Sequence, residues 1–319
     1  MKQPPATPAE RFPGARFWRP RFWIVWLLLA TLRGLSYLPL PLLHAIGAIG
    51  GEVAYHLHFA RRDIARRNLR ACFPARSEAE IGALARAHFR ALATAAIATG
   101  ISWWASEARL ARLTKVRNRE VLERARERGE SIVLLAPHFV GLEHSGIYLS
   151  LLSPTMTMYH RHRNPLLDAM IKHHRGRFGG AQYSSKAPIK PIIQSLRAGR
   201  LFYYLPDQDA GRKGVFVPFF GVPAATFPTL GRIARLGRAA VIPCTTRLLP
   251  RGRGFEIILG EPLADYPCGD DIADANAMNR AIETTIAHAP AQYFWSHRRF
   301  KTRPPGDPPF YRARRRRRR

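Results

Sequence analysis

His138, Glu143 and His144 fall within seven positions, in the run A-P-H-F-V-G-L-E-H-S-G at 136–146. Two imidazoles and a carboxylate so close together could bind a metal, move a proton, or do neither. A helical zinc site needs two histidines at i and i+4, so that both rings face one side. His138 and His144 are six apart, and Glu143 adjoins His144. Neighbours on a helix diverge by ~100°, so the three do not converge; no distant third ligand is signalled, and no metal is expected. A serine nucleophile would sit in a G-x-S-x-G elbow. The chain has no such elbow, and Ser145 has no motif around it. What remains is His138 with Glu143 as an acid/base pair. A carboxylate on one ring nitrogen fixes the tautomer and leaves the other nitrogen to take a proton. H-x-x-x-x-E is a weak pattern, however. On the residues alone, a capping histidine beside a solvated glutamate accounts for it equally well.

The flanking elements decide where such a pair would sit. Residues 131–136, S-I-V-L-L-A, read as a buried strand; Pro137 turns the chain, and 141–152 reads as a helix. His138 then lies at the C-terminal edge of a strand beside a helix start, where open α/β sheets hold their sites. Beyond residue 114, short apolar runs alternate with helical stretches. Strands are expected over 156–159, 201–205, 215–220, 239–249 and 255–259. Helices are expected over 166–178, 188–196, 227–236 and 272–289, the first with Asn164 as cap and Pro165 in its first turn. This alternation predicts an α/β fold with a mostly parallel sheet flanked by helices. Upstream, Ser77 and Glu80 have capping-box spacing, ahead of an Ala- and Arg-rich helix running to about residue 102.

Of 319 residues, 46% are hydrophobic and 23% charged, enough apolar content for one large domain or a domain with a helical appendage, and not a disordered composition. Fifty-one Lys and Arg against 22 Asp and Glu leave a net charge of +29, which implies an anionic partner. The last eight residues, R-A-R-R-R-R-R-R, carry only a minority of that charge, so the body is itself basic. Three scattered cysteines, Cys72, Cys244 and Cys268, fit a reducing compartment with no disulfide framework. Near the N-terminus, 22–32 is an apolar run bounded by Arg21 and Arg33. Trp18, Trp23 and Trp26 cluster there with Arg16, Arg19 and Arg21. Aromatic and basic residues beside an apolar run suit a bilayer interface, so one helical membrane anchor is expected: a short span continuing past Arg33, or a helix lying deep in the interface. The division expected is a tail and anchor over 1–60, the α/β domain over 61–304, and a disordered Pro/Arg-rich tail over 305–319.

Several longer motifs follow in order. R-R-D-I-A-R-R-N-L-R-A-C-F-P occupies 61–74, N-P-L-L-D 164–168, and L-P-D-Q-D-A-G 205–211, ahead of F-V-P-F-F-G at 216–221. A-A-V-I-P lies at 239–243, and Q-Y-F-W-S-H-R-R-F-K-T-R-P at 292–304. With H-x-x-x-x-E after an apolar strand, the chain resembles the bacterial lipid A late acyltransferases, the lauroyl/myristoyl acyltransferase family of the glycerolipid acyltransferase superfamily, over nearly its whole length. The resemblance implies O-acyl transfer from an acyl carrier protein thioester to a hydroxyl of a phosphorylated, Kdo-bearing lipid A precursor, with no cofactor. A different glycolipid or a lipoamino acid is the alternative acceptor. It implies His138 as general base with Glu143 orienting it, and substrate-binding roles for Arg175 (Arg177 being the near alternative), Asp207 and Asp209. His160 stands where the family often carries an arginine, so Arg161 or Arg163 is the substitute. His144 lies outside the motif. The implied place is the inner membrane, with the catalytic domain on its cytoplasmic face and an anionic membrane surface as partner. Specific nucleic-acid binding is not expected, since the arginine tail alone suggests it and the P-D-Q-D motif would then have no reason.

Overall fold

In the computed structural model, the structure describes residue 14 and residues 17–311; the arginine tail expected at 312–319, and Arg16, lie outside them. Among the described residues, a 3-10 turn (Pro20–Phe22) leads into four α-helices: α1 (Trp23–Ser36), α2 (Leu40–Leu57), α3 (Phe59–Cys72) and α4 (Glu78–Trp104). Ser77 caps α4 in the expected box, its hydroxyl taking the Glu80 N–H while the Glu80 carboxylate takes the Ser77 N–H. There follow α5 (Glu107–Leu113), β1 (Thr114–Arg117), α6 (Glu120–Glu127), β2 (Ser131–Leu135), α7 (Leu142–Leu152), β3 (Thr155–Tyr159), α8 (Pro165–Arg175), β4 (Ala181–Ser184), α9 (Ile189–Arg197) and β5 (Leu201–Tyr204). The chain closes with β6 (Val215–Phe219), β7 (Val222–Thr226), α10 (Thr229–Gly237), β8 (Ala239–Leu248), β9 (Phe255–Leu259) and α11 (Asp271–Ala287).

Seven strands form one sheet in the order β1-β9-β8-β2-β5-β3-β4, parallel except where β8 meets β9. Strands β6 and β7 form a separate antiparallel hairpin. The mostly parallel sheet flanked by helices is therefore as the alternation predicts. The centre, β2, is aliphatic on both faces, with Val133, Leu134 and Leu135 inaccessible, as a doubly covered parallel strand requires. Strand β4 is the one most hidden in the sequence: A-Q-Y-S at an edge is too short and polar to give an alternating signal.

Of the two forms of N-terminal anchor expected, the spanning one is not found among the described residues. Pro39 N-caps α2 and breaks the apolar stretch into two helices. At 1.5 Å per residue, the 14 residues of α1 reach only ~21 Å against a ~30 Å hydrocarbon core. No helix among the described residues is long and apolar enough to cross a membrane, so the expected transmembrane span is not present there. Instead α1 and α2 pack on α4. A Cβ on Gly47 would collide with the Thr94 backbone, and one on Gly51 with that of Arg90, so the two helices touch backbone to backbone. Outward, each helix keeps an apolar stripe: Trp23, Ile24, Leu27 and Leu28 on α1; Leu42, Ile46, Ile49, Val53 and Leu57 on α2.

Two of the sequence motifs meet behind the sheet. Asn68, buried in α3, donates from Nδ2 to the carbonyls of Trp295 and His297, both at 2.7 Å, and its Oδ1 takes the Tyr311 hydroxyl at 2.6 Å. Tyr311 is itself buried. Beyond residue 304 the chain is exposed over 305–309 and then returns to the domain through half-buried Phe310 and buried Tyr311.

Candidate active site

Strands β2 and β5 are parallel neighbours in the register Leu135↔Tyr204. Each then runs through a proline, Pro137 and Pro206, to a residue three past the strand end: His138 and Asp207. The sheet thus delivers these two side chains to the same C-terminal edge. Asp207 is almost wholly buried. Its Oδ1 accepts the ring Nδ1–H of His138 at 2.6 Å, and its Oδ2 accepts the backbone N–H of His138 at 2.8 Å. One carboxylate therefore fixes both the ring and the loop that carries it. The loop is held from the other side too, where Phe294 N–H donates to the His138 carbonyl and Val140 N–H to that of Gln292.

Burial pushes the Asp207 carboxyl up. The charge and two hydrogen bonds of His138 outweigh it, with help from the Arg299 guanidinium, and leave it below the ordinary carboxylate range. Asp207 is thus ionised and accepts only, so the neutral His138 ring carries its proton on Nδ1. The other nitrogen, Nε2, is an acceptor. It faces the Gln208 side-chain nitrogen at 3.1 Å. Both His138 and Gln208 line a cavity of about 680 Å³ that also takes in Leu142, Ile147, Met156 and Tyr203. An activated hydroxyl, an apolar tail and a single base could meet there without a protein nucleophile.

Glu143 does not hold the His138 ring, and this corrects the expected pair. Its carboxylate lies in the first turn of α7 and turns to α8 and α4. It accepts from Arg175 Nε at 2.9 Å and Nη2 at 2.5 Å, and from Trp103 Nε1 at 3.0 Å. Burial would raise the Glu143 carboxyl, but the Arg175 charge and these hydrogen bonds bring it below its usual value. Arg175 and Glu143 line the cavity together, as an ion pair in its wall rather than a free anion hook.

The remaining expected site residues divide. Arg177 is not at the cavity. Its guanidinium donates to the carbonyls of Ser102, Trp103 and Ala105 at 3.2, 2.7 and 2.8 Å, so it closes the C-terminal end of α4, where carbonyls lack helical partners. Asp209 borders the cavity, yet both of its oxygens accept from Thr302, one from the backbone N–H and one from the hydroxyl, each at 3.0 Å. It ties the C-terminal segment to the P-D-Q-D loop. Arg161 is exposed, in a loop whose neighbours His160 and His162 reach the cavity rim. That loop is pinned by Asp168 of N-P-L-L-D, which accepts the His162 N–H at 2.7 Å. His144 is structural. It stacks on Phe255 at 3.6 Å, takes the Ser102 hydroxyl on Nδ1 and meets the Thr114 hydroxyl with Nε2. Because Thr114 Oγ1 already donates to the Leu110 carbonyl, Nε2 must be the donor. Burial holds the ring neutral, down to about 3.

Arg299, unassigned from the sequence, is buried under the site. It donates to the carbonyls of Gln208 and Ala225 and to the Thr226 hydroxyl, which fixes the loop bearing Asp207 from below. Its signal was present in the R-R-F-K-T-R-P run, but nothing in that run says which arginine turns inward.

A histidine and its carboxylate at the C-terminal edge of a mostly parallel sheet open together on a partly apolar cavity, the arrangement of a candidate enzyme active site. The chain matches the bacterial lipid A biosynthesis acyltransferases over residues 14–302 and belongs to that family. It is 34% identical to the lipid A biosynthesis lauroyltransferase of Escherichia coli K12, over 92% of this chain and 96% of that protein. It is 34% identical to the palmitoleoyltransferase of the same strain, over 94% and 99%, and 33% identical to its myristoyltransferase, over 91% of each. It is an acyltransferase of lipid A biosynthesis, and a glycolipid acceptor follows from that.

Proposed function

We propose that this enzyme moves a long fatty acyl chain from an acyl carrier protein thioester to a hydroxyl on a Kdo-bearing lipid A precursor. His138 Nε2 takes the proton as the hydroxyl oxygen attacks the thioester carbon. The tetrahedral oxyanion collapses, the C–S bond breaks, and the imidazolium returns the proton to the leaving thiolate. The products are one ester and one thiol. Asp207 keeps the proton on Nδ1 and stabilises the imidazolium between the two steps. The observation that carries this reading is the two-point grip of Asp207 on His138, with Nε2 turned to the cavity. The relatives named for lauroyl, palmitoleoyl and myristoyl transfer support a long acyl chain. The net charge of +29 favours both an acidic carrier protein and a phosphorylated acceptor.

The same reading places the enzyme on the cytoplasmic face of the inner membrane. The stripes on α1 and α2, with Arg21 and Arg33 exposed alongside, suit a helix pair lying in an anionic interface rather than crossing it. Purified wild type and His138→Ala are incubated with acyl carrier protein thioester and a Kdo-bearing tetra-acyl acceptor, with the product read by mass spectrometry. Transfer by wild type and loss of at least a hundred-fold in the variant are expected. Equal rates would remove His138 as the base, and no acylated lipid A precursor from wild type would remove the acceptor. Sedimentation with anionic vesicles is expected to drop when Ile24 and Leu28 are changed to Asp; unchanged sedimentation would refute the interfacial helices.

A further inference from the structure

The base nitrogen of His138 is not open. Gln208 stands on it, with the amide nitrogen 3.1 Å from Nε2. The direction of that hydrogen bond follows from the other side of the ring. In the neutral ring, Nδ1–H is committed to the ionised Asp207, so Nε2 has only a lone pair, and the amide presents its NH2 to it. The hydrogen of Gln208 thus occupies the position where any hydroxyl, of substrate or of water, must place its own proton to be activated.

The surroundings leave Gln208 one freedom. The backbone on either side is fixed: Asp207 is buried and bound to His138, Arg299 donates to the Gln208 carbonyl, and Asp209 is tied to Thr302 and to His297. The side chain, by contrast, is half-buried and faces the cavity. Its rotamers can change without moving the loop, and a neutral amide-to-imidazole hydrogen bond is worth only about 1 kcal/mol net. A bound acceptor hydroxyl can displace it, given the binding energy of the rest of a large glycolipid.

A thioester bound beside an open base faces a second nucleophile. Water would attack the same carbon, His138 would take the water proton and hand it to the thiolate, and the products would be a free fatty acid and the thiol. A weakly held cap that yields to a well-bound alcohol, but not to a single water, biases the base toward transfer. We propose that Gln208 is a gate on the general base: it covers His138 Nε2 while the acceptor is absent, suppresses hydrolysis of the bound thioester, and swings aside when the acceptor hydroxyl arrives. This rests on the reading of His138 as the base.

The test uses the full-length enzyme and an acyl carrier protein thioester, with and without acceptor. Released thiol reports total turnover, and extracted free fatty acid and acylated lipid divide it. Two variants, Gln208→Ala and Gln208→Asn, remove the cap; Asn is one methylene too short to reach Nε2 yet keeps a polar amide in the loop. In both, the ratio of hydrolysis to transfer is expected to rise about five-fold, the size of one lost hydrogen bond of about 1 kcal/mol. Adding His138→Ala to Gln208→Ala is expected to return hydrolysis to background. A wild-type ratio in both single variants overturns the gate and leaves the base reading intact. Hydrolysis that persists in the double variant also overturns the gate, because it does not pass through His138. Undiminished transfer in His138→Ala alone overturns the base reading itself.

Discussion

Replacing Asp207 by Asn tests the core of the site, because the two residues are nearly the same shape and differ in what they can accept. Asp207 accepts two hydrogen bonds from His138, from the ring Nδ1–H at 2.6 Å and from the backbone N–H at 2.8 Å. An amide has one oxygen and one NH2 for these two jobs. If the oxygen serves the backbone N–H, the NH2 faces Nδ1, which must then be the lone-pair nitrogen; the proton moves to Nε2, and the base is lost. If the oxygen serves the ring, NH2 faces a buried backbone N–H, an unsatisfied donor pair costing ~1–3 kcal/mol. At 1.4 kcal/mol per factor of ten, the wrong tautomer is favoured by roughly ten- to a hundred-fold. The imidazolium formed during transfer also loses its counter-charge, and general-base assistance of this type is worth ~10²–10⁴ in rate. We expect kcat for transfer to fall by about 10²–10⁴ with KM within a few-fold, in protein whose urea unfolding is shifted only slightly. A kcat within five-fold of wild type in folded Asp207→Asn would refute the assignment of Asp207 as the residue that orients the base.

Glu143→Gln supplies the contrast. It leaves the Arg175 guanidinium, which is about a quarter exposed, without its partner, so stability is expected to fall by ~1–3 kcal/mol in urea titration while kcat falls less than in Asp207→Asn. An equal kcat loss at full stability would return Glu143 to the base. Asn68→Ala removes three hydrogen bonds that join α3 to the Trp295–His297 segment and Tyr311; a loss of ~3 kcal/mol is expected, read as a lower urea midpoint, and a midpoint unchanged within error would contradict that clamp. Acid should loosen the fold well before the carboxylates titrate. His88 and His144 are buried and pushed down to about 4 and about 3, and His174 to about 3. Their folded values lie below the unfolded value of ~6.5, so the stability they contribute is complete above pH ~6.5 and is lost as pH falls toward 4 while the unfolded chain takes up protons. Each contributes up to ~1.4 kcal/mol per pH unit in that window. Urea midpoints at pH 7 and 5 check this, and equal midpoints would count against it.

Much of this fold was legible because its signals are local. The aliphatic run of β2, the Asn164-Pro165 start of α8 and the Ser77–Glu80 box each report their own element within a few residues. Strand β4 was not, because a four-residue edge strand buries too little to need an apolar pattern. The division of the N-terminal apolar stretch was written in Pro39. What the stretch does next depends on glycines that let α2 touch α4, and a glycine's partner is a tertiary fact.

The site shows the same limit more sharply. H-x-x-x-x-E invites pairing because its members are close in the chain, yet Glu143 points into the helix layer and finds Arg175, 32 residues on. The partner of His138 is 69 residues away. A parallel sheet makes such pairs: the C-terminal ends of neighbouring strands lie side by side however long the crossover between them. A sequence signal for it does exist. V-L-L-A-P-H and F-Y-Y-L-P-D are both buried strands ending in a proline two residues past the last paired position, followed at once by an ionisable residue. If β2 and β5 are neighbours in register, equal offsets must bring His138 and Asp207 to one point on the edge. The offset match picks Asp207 over Glu143 as the partner of His138. It needs only the strand order, which composition and periodicity along the chain do not carry.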